Sequence, residues 1–309
     1  MGPGDDCAVV RVRAGPLCVT TDAVVEGVHF RRADGPLEDV GHKALAVNLS
    51  DLAAMGAQPT WFVCALAAPA LRLEEVRALG RGMAALAKRF GVALVGGNVT
   101  RAQQLSLTVT AAGRPAGAAA LLRSGGRPGQ LLYVSGTLGA ARLGLTSLQG
   151  RGRGRRFPRA EDRQRRPEPR VRLWLLAARY ASAAIDVSDG LAQDLGWLLA
   201  ASGVGADVEA VRLPVDAEVR TAFAPGRALQ TALEGGEDYE LLLAVPATRA
   251  AAFERACVGA GEVVTRIGRL RRGRGLRLVD ARGRASRRRA GGFDHFVRWT
   301  ESPAGPLAR

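Results

Sequence analysis

The spacing of apolar residues predicts two helices in the first third of the chain. From residue 73 to residue 90, apolar side chains recur every three or four positions, a period typical of a helix with one buried face. Gly91 follows directly and is suited to a helix C-terminal cap. Residues 43–55 have a similar spacing, although polar Asn48, Ser50 and Asp51 interrupt it. We therefore expect helices over both segments.

Other segments have the period of two, or the short apolar run, of a β-strand. Residues 105–111 alternate apolar and polar side chains, which predicts a strand with one buried face. Residues 17–22 predict a short strand that ends at Asp22, and residues 92–95 predict a strand that leads into the glycine-rich sequence 96–98. The remaining predicted elements are strands at 131–134, 183–187 and 239–245, and helices at 173–180 and 190–202.

Strands and helices alternate in both halves, so the predicted fold class is α/β with two domains. The Gly- and Pro-rich sequence RSGGRPG at 123–129 is the best boundary, which gives domains 1–124 and 125–309. The length of 309 residues suits two domains of ordinary size. Within the second domain, residues 149–170 are rich in Arg, Gly and Pro and are predicted to be a mobile, inserted loop.

Charge and composition indicate which classes of binding partner the protein is expected to have. The formal net charge is +15, but 42 of the 44 basic residues are arginine, since Lys43 and Lys88 are the only lysines. The Arg-rich stretches lack interleaved aromatic side chains for base stacking, so we expect no nucleic-acid partner. No apolar run approaches the roughly 18–20 residues that span a bilayer, and the first residues lack the apolar region of a secretory signal. A cytoplasmic protein without a membrane partner is the expectation.

Carboxylates are scarce in this basic chain, and many of them lie in short acidic motifs. The motifs are GDD at 4–6, TTD at 20–22, NLSD at 48–51 with its echo DVSDG at 186–190, and GGEDYE at 235–240. Each alone is explained as well by a helix cap or a turn, which suit Asp and Ser. Together they predict sites for Mg²⁺, a hard cation that prefers oxygen ligands. Both Ser-Asp pairs, at 50–51 and at 188–189, are predicted near the start of a helix.

The motifs for covalent catalysis are missing from the sequence. There are only three histidines, no Gly-x-Ser-x-Gly motif and no P-loop. Many carboxylates with few general bases favour a reaction in which metal ions and positioning neutralise charge, and phosphoryl transfer is such a reaction. We therefore expect no side chain that acts as a nucleophile.

A series of motifs resembles the thiamine-monophosphate kinases, a family within the aminoimidazole-ribonucleotide-synthetase-like ATP-binding superfamily. The matching sequences are GDDCAVV (4–10), TTDAVVEGVHF (20–30), KALAVNLSDLAAMGAQP (43–59), LVGGNVTRA (94–102), LLRSGGRPG (121–129), AIDVSDGLAQDL (184–195), GGEDYELLLAVP (235–246) and GGFDHF (291–296). They occur in family order, and VEGVHF with GGEDYEL separates this family from its relatives. The resemblance implies Mg²⁺-dependent transfer of the ATP γ-phosphoryl group to thiamine monophosphate, giving thiamine diphosphate.

The resemblance also implies a site and a quaternary structure. It assigns Mg²⁺ ligands to Asp6, Thr20, Thr21, Asp22, Asp51, Asn98, Asp186 and Asp189. It assigns ATP contacts to Gly97, Asn98, Arg123 and Ser188, and thiamine monophosphate contacts to His29, Glu237 and Phe293. It implies two α/β domains, the first of which forms a β-barrel with its counterpart in a homodimer. From the residues alone, Phe293 is equally a core side chain, His29 a satisfied core or surface histidine, and Arg123 a solvated loop cation.

Two departures from the family pattern carry expectations of their own. Asn98 stands where the family usually has Asp, which predicts a weaker Mg²⁺ site because one negative charge is lost. Only three residues precede GDD, fewer than in the family, which predicts a truncated or misassigned start and a fraying Asp6. The alternatives are therefore a catalytically impaired nucleotide-binding homologue, or another ATP-using member of the same superfamily.

Overall fold

The computed structural model describes residues 14–117, 119–150, 155–288 and 291–292, which form two α/β units. The first unit contains β1 (Cys18–Val25), α1 (Leu37–Ala54), β2 (Ala57–Ala68), α2 (Leu73–Phe90), β3 (Ala93–Arg101) and β4 (Ser106–Pro115). Its four strands form a sheet in the order β1-β4-β2-β3, with β2 and β3 parallel and the other pairs antiparallel. Within the described residues this sheet is open, and β1 and β3 are its edges.

The sequence patterns of α2 and β4 are confirmed. Helix α2 ends at Gly91, whose φ of 66° lies in the left-handed region that favours glycine. In β4, the alternate side chains Leu107, Val109 and Ala111 are buried in the core of the first unit, whereas the polar residues before each of them are partly exposed. One face of the sheet is therefore covered by helices, as the period of two predicts.

Three details of the first unit correct the predictions. Asp22 lies inside β1 and does not end it, because the pairing with β4 continues beyond it. The glycine-rich sequence 96–98 lies inside β3, because the parallel pairing with β2 also continues. Ser50 and Asp51 lie near the end of α1, not near the start of a helix, because α1 already begins at Leu37.

The second unit contains a larger, mixed sheet. Its strands are β5 (Leu131–Ser135), β6 (Ala183–Val187), β7 (Gly205–Glu209), β8 (Glu240–Val245), β9 (Val264–Arg271), β10 (Gly275–Val279) and β11 (Ala285–Arg288). Its helices are α3 (Ala140–Leu148), α4 (Pro158–Arg165), α5 (Trp174–Tyr180), α6 (Leu191–Ser202), α7 (Ala217–Ala222), α8 (Pro225–Glu234) and α9 (Ala247–Gly259). The strand order is β11-β10-β7-β9-β5-β8-β6. The five elements predicted for this unit are confirmed to within a residue.

Residues 149–170 were predicted to be a mobile loop, and this prediction is wrong for residues 158–165. Helix α4 occupies Pro158–Arg165, and Pro158 suits a first helical turn because it has no amide hydrogen to satisfy. Ala160 and Gln164 are buried. The composition predicts solvent exposure because the acidic partners of Arg163, Arg166 and Arg170 lie elsewhere in the chain. We call residues 155–170 the arginine strap.

Helix α1 joins the two units. Ala53 and Ala54 near its end pack with α5, α9 and one face of the second sheet. Tyr239, from the second unit, packs in turn with the core of the first. The opposite face of the second sheet is covered by α6 and α8. None of the described helices is long and apolar enough to cross a membrane.

Candidate active site

Three carboxylates from separate elements meet where the two units join. Asp22 projects from β1, Asp51 from the last turn of α1, and Asp186 from the end of β6. The Thr20 hydroxyl donates to Asp51 Oδ2 at 2.5 Å, and the Ser50 hydroxyl donates to Asp186 Oδ2 at 2.8 Å. We call Asp22, Asp51 and Asp186 the carboxylate cluster.

The pKa values of the three carboxyl groups in the cluster are raised by burial, and those of Asp22 and Asp186 also by repulsion between charges. Burial, followed by the charge of Asp51, raises the pKa of Asp22 to about 7. Burial also raises the pKa of Asp51, although the Thr20 hydrogen bond and the charge of Arg123 oppose this. Burial and then the charge of Asp51 raise the pKa of Asp186 well above its usual range. Close, desolvated carboxyl groups of this kind favour the binding of a cation.

The loop between β6 and α6 places a fourth aspartate beside the cluster. The charge of Asp189 contributes to the raised pKa of Asp22. Asp194, in the first turn of α6, accepts hydrogen bonds from the amides of Asp189 and Gly190, each at 3.0 Å. Burial and then the charge of Asp189 raise the pKa of Asp194 to about 7. The loop is thus fixed by its own helix, with Asp189 close to Asp22.

A cavity of about 250 Å³ opens beside the carboxylate cluster. Its lining combines Asp51 and Asp186 with the Arg123 side chain and with the less polar Cys18 and Met55. Arg123 stands in a short 3-10 turn at the start of the second unit. Opposite charges on adjoining walls suit a ligand that brings both phosphate oxygens and cations.

The donor set fits Mg²⁺ held jointly by protein and ligand. Among the described residues, no three His, Cys, Asp or Glu side chains are arranged to hold a metal ion by themselves. Mg²⁺ usually keeps several waters and binds through one or two carboxylates plus substrate phosphates. Asp22 and Asp51, together with the Thr20 hydroxyl, are oxygen donors of the required kind.

A second group of side chains surrounds Lys43 of α1. The Lys43 ammonium lies 2.6 Å from Glu237 Oε1 and donates to the carbonyl oxygens of His29 and Gln164, both at 3.1 Å. Gln164 Nε2 donates to Glu237 Oε2 at 2.6 Å. His29 and Glu237, the predicted contacts of thiamine monophosphate that fall within the described residues, are therefore brought together.

The loop that carries Glu237 has a strained backbone. Glu237 and Tyr239 have φ values of 67° and 50°, in the left-handed region that residues other than glycine rarely adopt. The Glu237 amide donates to Ser188 O at 2.7 Å, which places Ser188 beside this loop. The Asp238 carboxylate accepts from the Gly139 amide at 2.6 Å. Strain of this kind persists only where the surroundings fix the loop, and it concentrates at functional sites.

Tyr239 connects the two groups. Its side chain is buried against the core of the first unit. Burial, followed by the charges of Glu237 and of the three carboxylates in the cluster, raises the pKa of its hydroxyl well above the usual range. The same side chain is therefore close to both groups, and they form one site.

The arginine strap holds the elements around this site. Glu240, which is fully buried, accepts two hydrogen bonds from Arg170 at 2.5 Å and one from Arg163 at 2.6 Å. Arg166 donates to Asp39 of α1 at 3.0 Å. The strap therefore connects α1 with the second sheet, and these three arginines serve as ion-pair partners.

Three predicted site residues do not reach the carboxylate cluster within one chain. Gly97 lies on β3, in one cross-strand row with Asp22 but on the opposite edge, three strand spacings or about 14 Å away. A Cβ at Gly97 would lie 2.1 Å from Cys64 O, so position 97 admits only glycine. The side chains of Thr21 and Asn98 lie on the other face of the sheet from Asp22.

The predicted and the observed site residues differ in two ways. The predicted site residues Asp6 and Phe293 lie outside the described residues. The residues that the sequence analysis missed as parts of the site are Lys43, Gln164 and Tyr239. Lys43 carried a signal, because it is one of only two lysines among 44 basic residues. Gln164 carried none, because it lies in the segment that composition marked as a loop.

Comparison with known proteins identifies the family. Residues 4–114 match the N-terminal domain of AIR synthase related proteins, and residues 127–281 match the C-terminal domain of the same group. The thiamine-monophosphate kinase of Salmonella typhimurium is 41% identical over 273 residues, which cover 87% of this chain and 83% of that protein. The chain belongs to the thiamine-monophosphate kinase family. The resemblance inferred from the motifs is confirmed.

Solved structures of the family share this fold. The thiamine-monophosphate kinase from Stenotrophomonas maltophilia is 40% identical, with a TM-score of 0.85, covering 93% of this chain and 92% of that one. The structure of AaThiL complexed with AMPPCP and TMP is 31% identical, with a TM-score of 0.81, covering 93% of this chain and 89% of that one. The two-domain α/β fold expected for the family is therefore confirmed.

Proposed function

We propose that the chain is an enzyme that phosphorylates thiamine monophosphate with ATP, giving thiamine diphosphate. The observation that carries this proposal is the carboxylate cluster beside a cavity lined by Arg123. The second group, with His29 and Glu237 held by Lys43, lies close to the cluster through Tyr239. A relative at 41% identity carries the name of this activity, and AaThiL was solved with AMPPCP and TMP.

In the proposed reaction the phosphoryl group passes directly between the substrates. An oxygen of the thiamine monophosphate phosphate bonds to the γ-phosphorus of ATP, the bond from that phosphorus to the β-γ bridging oxygen breaks, and ADP leaves. Such a transfer needs positioning and charge neutralisation more than a protein nucleophile. In this proposal Arg123 neutralises phosphate oxygens in the cavity, while Glu237 and His29 orient the acceptor.

We propose that Thr20, Asp22 and Asp51 hold Mg²⁺, with Asp186 and Asp189 as neighbouring carboxylates. Mg²⁺ bound there would neutralise charge on the triphosphate. The raised pKa of Asp22 supports this placement, because a cation would stabilise the charged carboxylate that burial and then the charge of Asp51 disfavour. Asp6 and Thr21 stay predicted ligands, and Thr21 projects from the opposite face of β1.

We further propose that the chain acts as a homodimer, in which the first sheets of two copies form the β-barrel expected for the family. Both edge strands of the sheet carry exposed apolar side chains, with Val19 57%, Leu94 47% and Val99 72% exposed. Pairing of β3 with β1 of a second copy would bring the second copy's Gly97 to the row of Asp22, a distance of about 14 Å within a single chain. Light scattering of the Val99→Arg variant tests this proposal, and we expect a monomer. The control is Val258→Arg, at an exposed position of α9, which should stay dimeric.

The direct test of the proposed activity is formation of thiamine diphosphate from ATP and thiamine monophosphate, with and without Mg²⁺. We expect product only when the metal is present. ATP binding without any product would contradict the proposal and favour an impaired nucleotide-binding homologue. Equal product in the presence of a chelator would contradict the metal proposal but leave the kinase activity standing.

A further inference from the structure

Lys43 is a buried cation in the middle of the candidate site. It is 2% exposed, and lysine is seldom buried unless its charge is paired. Its ammonium has three donors and meets three oxygen atoms, from Glu237, His29 and Gln164. These oxygens belong to three separate segments, namely the loop after β1, the arginine strap and the loop before β8. A single ammonium therefore connects four parts of the chain.

The choice of lysine here is informative because the chain uses arginine almost everywhere else. Of 44 basic residues only Lys43 and Lys88 are lysines. A guanidinium is planar and presents its donors as a rigid fork, whereas an ammonium is compact and donates in three diverging directions. Three acceptors that surround one atom suit the ammonium. Arg170 of the strap, by contrast, donates from two of its nitrogens to the two oxygens of the flat Glu240 carboxylate.

The contacts fix both oxygens of Glu237. Oε1 faces the Lys43 ammonium and Oε2 accepts from Gln164 Nε2, so the plane of the carboxylate is set. The Glu237 side chain still keeps 22% exposure, which leaves part of it open to a ligand. His29, Lys43 and Gln164 also line one cavity. Without the ammonium, a partly buried charge on a backbone with φ of 67° would lose its strongest partner.

We propose that Lys43 is a positioning residue for thiamine monophosphate, because it holds the Glu237 carboxylate and the His29 backbone where the acceptor substrate binds. This role rests on the proposed function. Lys43 acts through Glu237 and His29, and it affects the binding of thiamine monophosphate only. The cavity beside Arg123, assigned to the triphosphate of ATP, is lined by other side chains than Lys43. Loss of Lys43 should therefore weaken the binding of thiamine monophosphate and leave the binding of ATP unchanged.

The test compares Lys43→Met with Lys88→Met, which removes the other lysine from the exposed end of α2. Steady-state kinetics are measured separately for thiamine monophosphate and for ATP. For Lys43→Met we expect KM for thiamine monophosphate to rise roughly tenfold to a hundredfold, as for loss of a charged hydrogen-bond partner, with KM for ATP within about twofold. Lys88→Met should match the wild type. Adding Lys43→Met to Glu237→Gln should raise KM for thiamine monophosphate little further, because both changes remove the same interaction.

Each outcome decides the proposal. Equal rises in KM for both substrates, or no rise, would show that Lys43 is only a structural cation, while the kinase activity of the wild type stands. If Lys43→Met does not fold, Lys43→Arg is measured instead. It keeps the charge but not the three diverging donors, so an unchanged KM for thiamine monophosphate would overturn the proposal. A wild-type chain that forms no thiamine diphosphate would overturn the proposed function and this assignment together.

Discussion

Replacement of Glu240 by glutamine is a sharp test of how the arginine strap is held. The Glu240 carboxylate is fully buried and accepts hydrogen bonds from Arg170, Arg163 and Ser135 at 2.5 to 2.6 Å. Glutamine keeps one carbonyl oxygen, but its amide group would face guanidinium donors. The substitution also removes the negative charge that balances two arginines. Breaking a buried ion pair in this way costs about 3–5 kcal/mol, because the remaining charge is left without compensation.

We expect the lower end of that range. The side chains of Arg163 and Arg170 retain 23% and 21% exposure, so water can solvate them in part once Glu240 is changed. The free energy of unfolding of Glu240→Gln should therefore fall by about 3 kcal/mol. This is a large part of a typical total of about 5–15 kcal/mol. The matched control is Glu209→Gln, which breaks an exposed pair with Arg212 and should cost less than about 1 kcal/mol.

Urea unfolding followed by circular dichroism measures the difference between the two variants. Limited trypsin digestion gives a second measure, because a released strap would expose its arginines to cleavage. We expect faster cleavage within residues 155–170 for Glu240→Gln and no change for Glu209→Gln. Equal unfolding midpoints and equal cleavage of the two variants would refute the conclusion that Glu240 anchors the strap.

Three further predictions address the site and the strap. Asn98→Asp should lower the Mg²⁺ concentration that gives half the maximal rate; no change in a Mg²⁺ titration would mean that Asn98 is not a ligand. Asp51→Asn should reduce kcat/KM by at least about a hundredfold through loss of charge at the phosphates, whereas Asp280→Asn, in an exposed turn, should not. The Arg156 hydrogen bond lowers the pKa of Glu161 to about 2, so its contribution is present above about pH 4.5 and is lost as the pH falls towards 2. Glu161→Gln should therefore destabilise by about 1–2 kcal/mol at pH 7, and a deficit of the same size in urea unfolding at pH 2.5 would contradict this.

The parts of the fold that sequence predicts well are those decided by local periodicity. Helix α2 has one apolar face and a glycine at its end, and β4 alternates strictly, so each was placed from its own residues. Helix α1 was harder because almost its entire surface is buried. Asn48 and Ser50 looked like interruptions, yet Asn48 donates to Ala44 O one turn earlier and Ser50 donates to Asp186. Their partners, and not their polarity, explain their positions.

The candidate site likewise has a part that the sequence predicts and a part that it does not. The acidic motifs predicted Asp22, Asp51 and Asp186 as one group, and the structure brings them together. The strap was mistaken for a loop because its ion pairs join residues far apart in sequence, such as Arg170 and Glu240. The local sequence around an arginine does not show that it pairs with a buried carboxylate far away in the chain. Composition alone therefore favoured solvent exposure.

The distribution of partners explains why a chain with a net charge of +15 builds its site from carboxylates. Glu237 and Glu240 are neutralised by Lys43 and by the strap, so they serve to hold elements in place. In the carboxylate cluster, burial raises the pKa of all three members, and the charge of Arg123 opposes this rise at Asp51. Carboxylates that are paired with basic side chains thus stabilise the fold around the site, whereas the carboxylates of the cluster, which repel one another, are available to bind a cation that enters with the substrate. The same residue type serves both purposes, and what separates them is the surrounding charge.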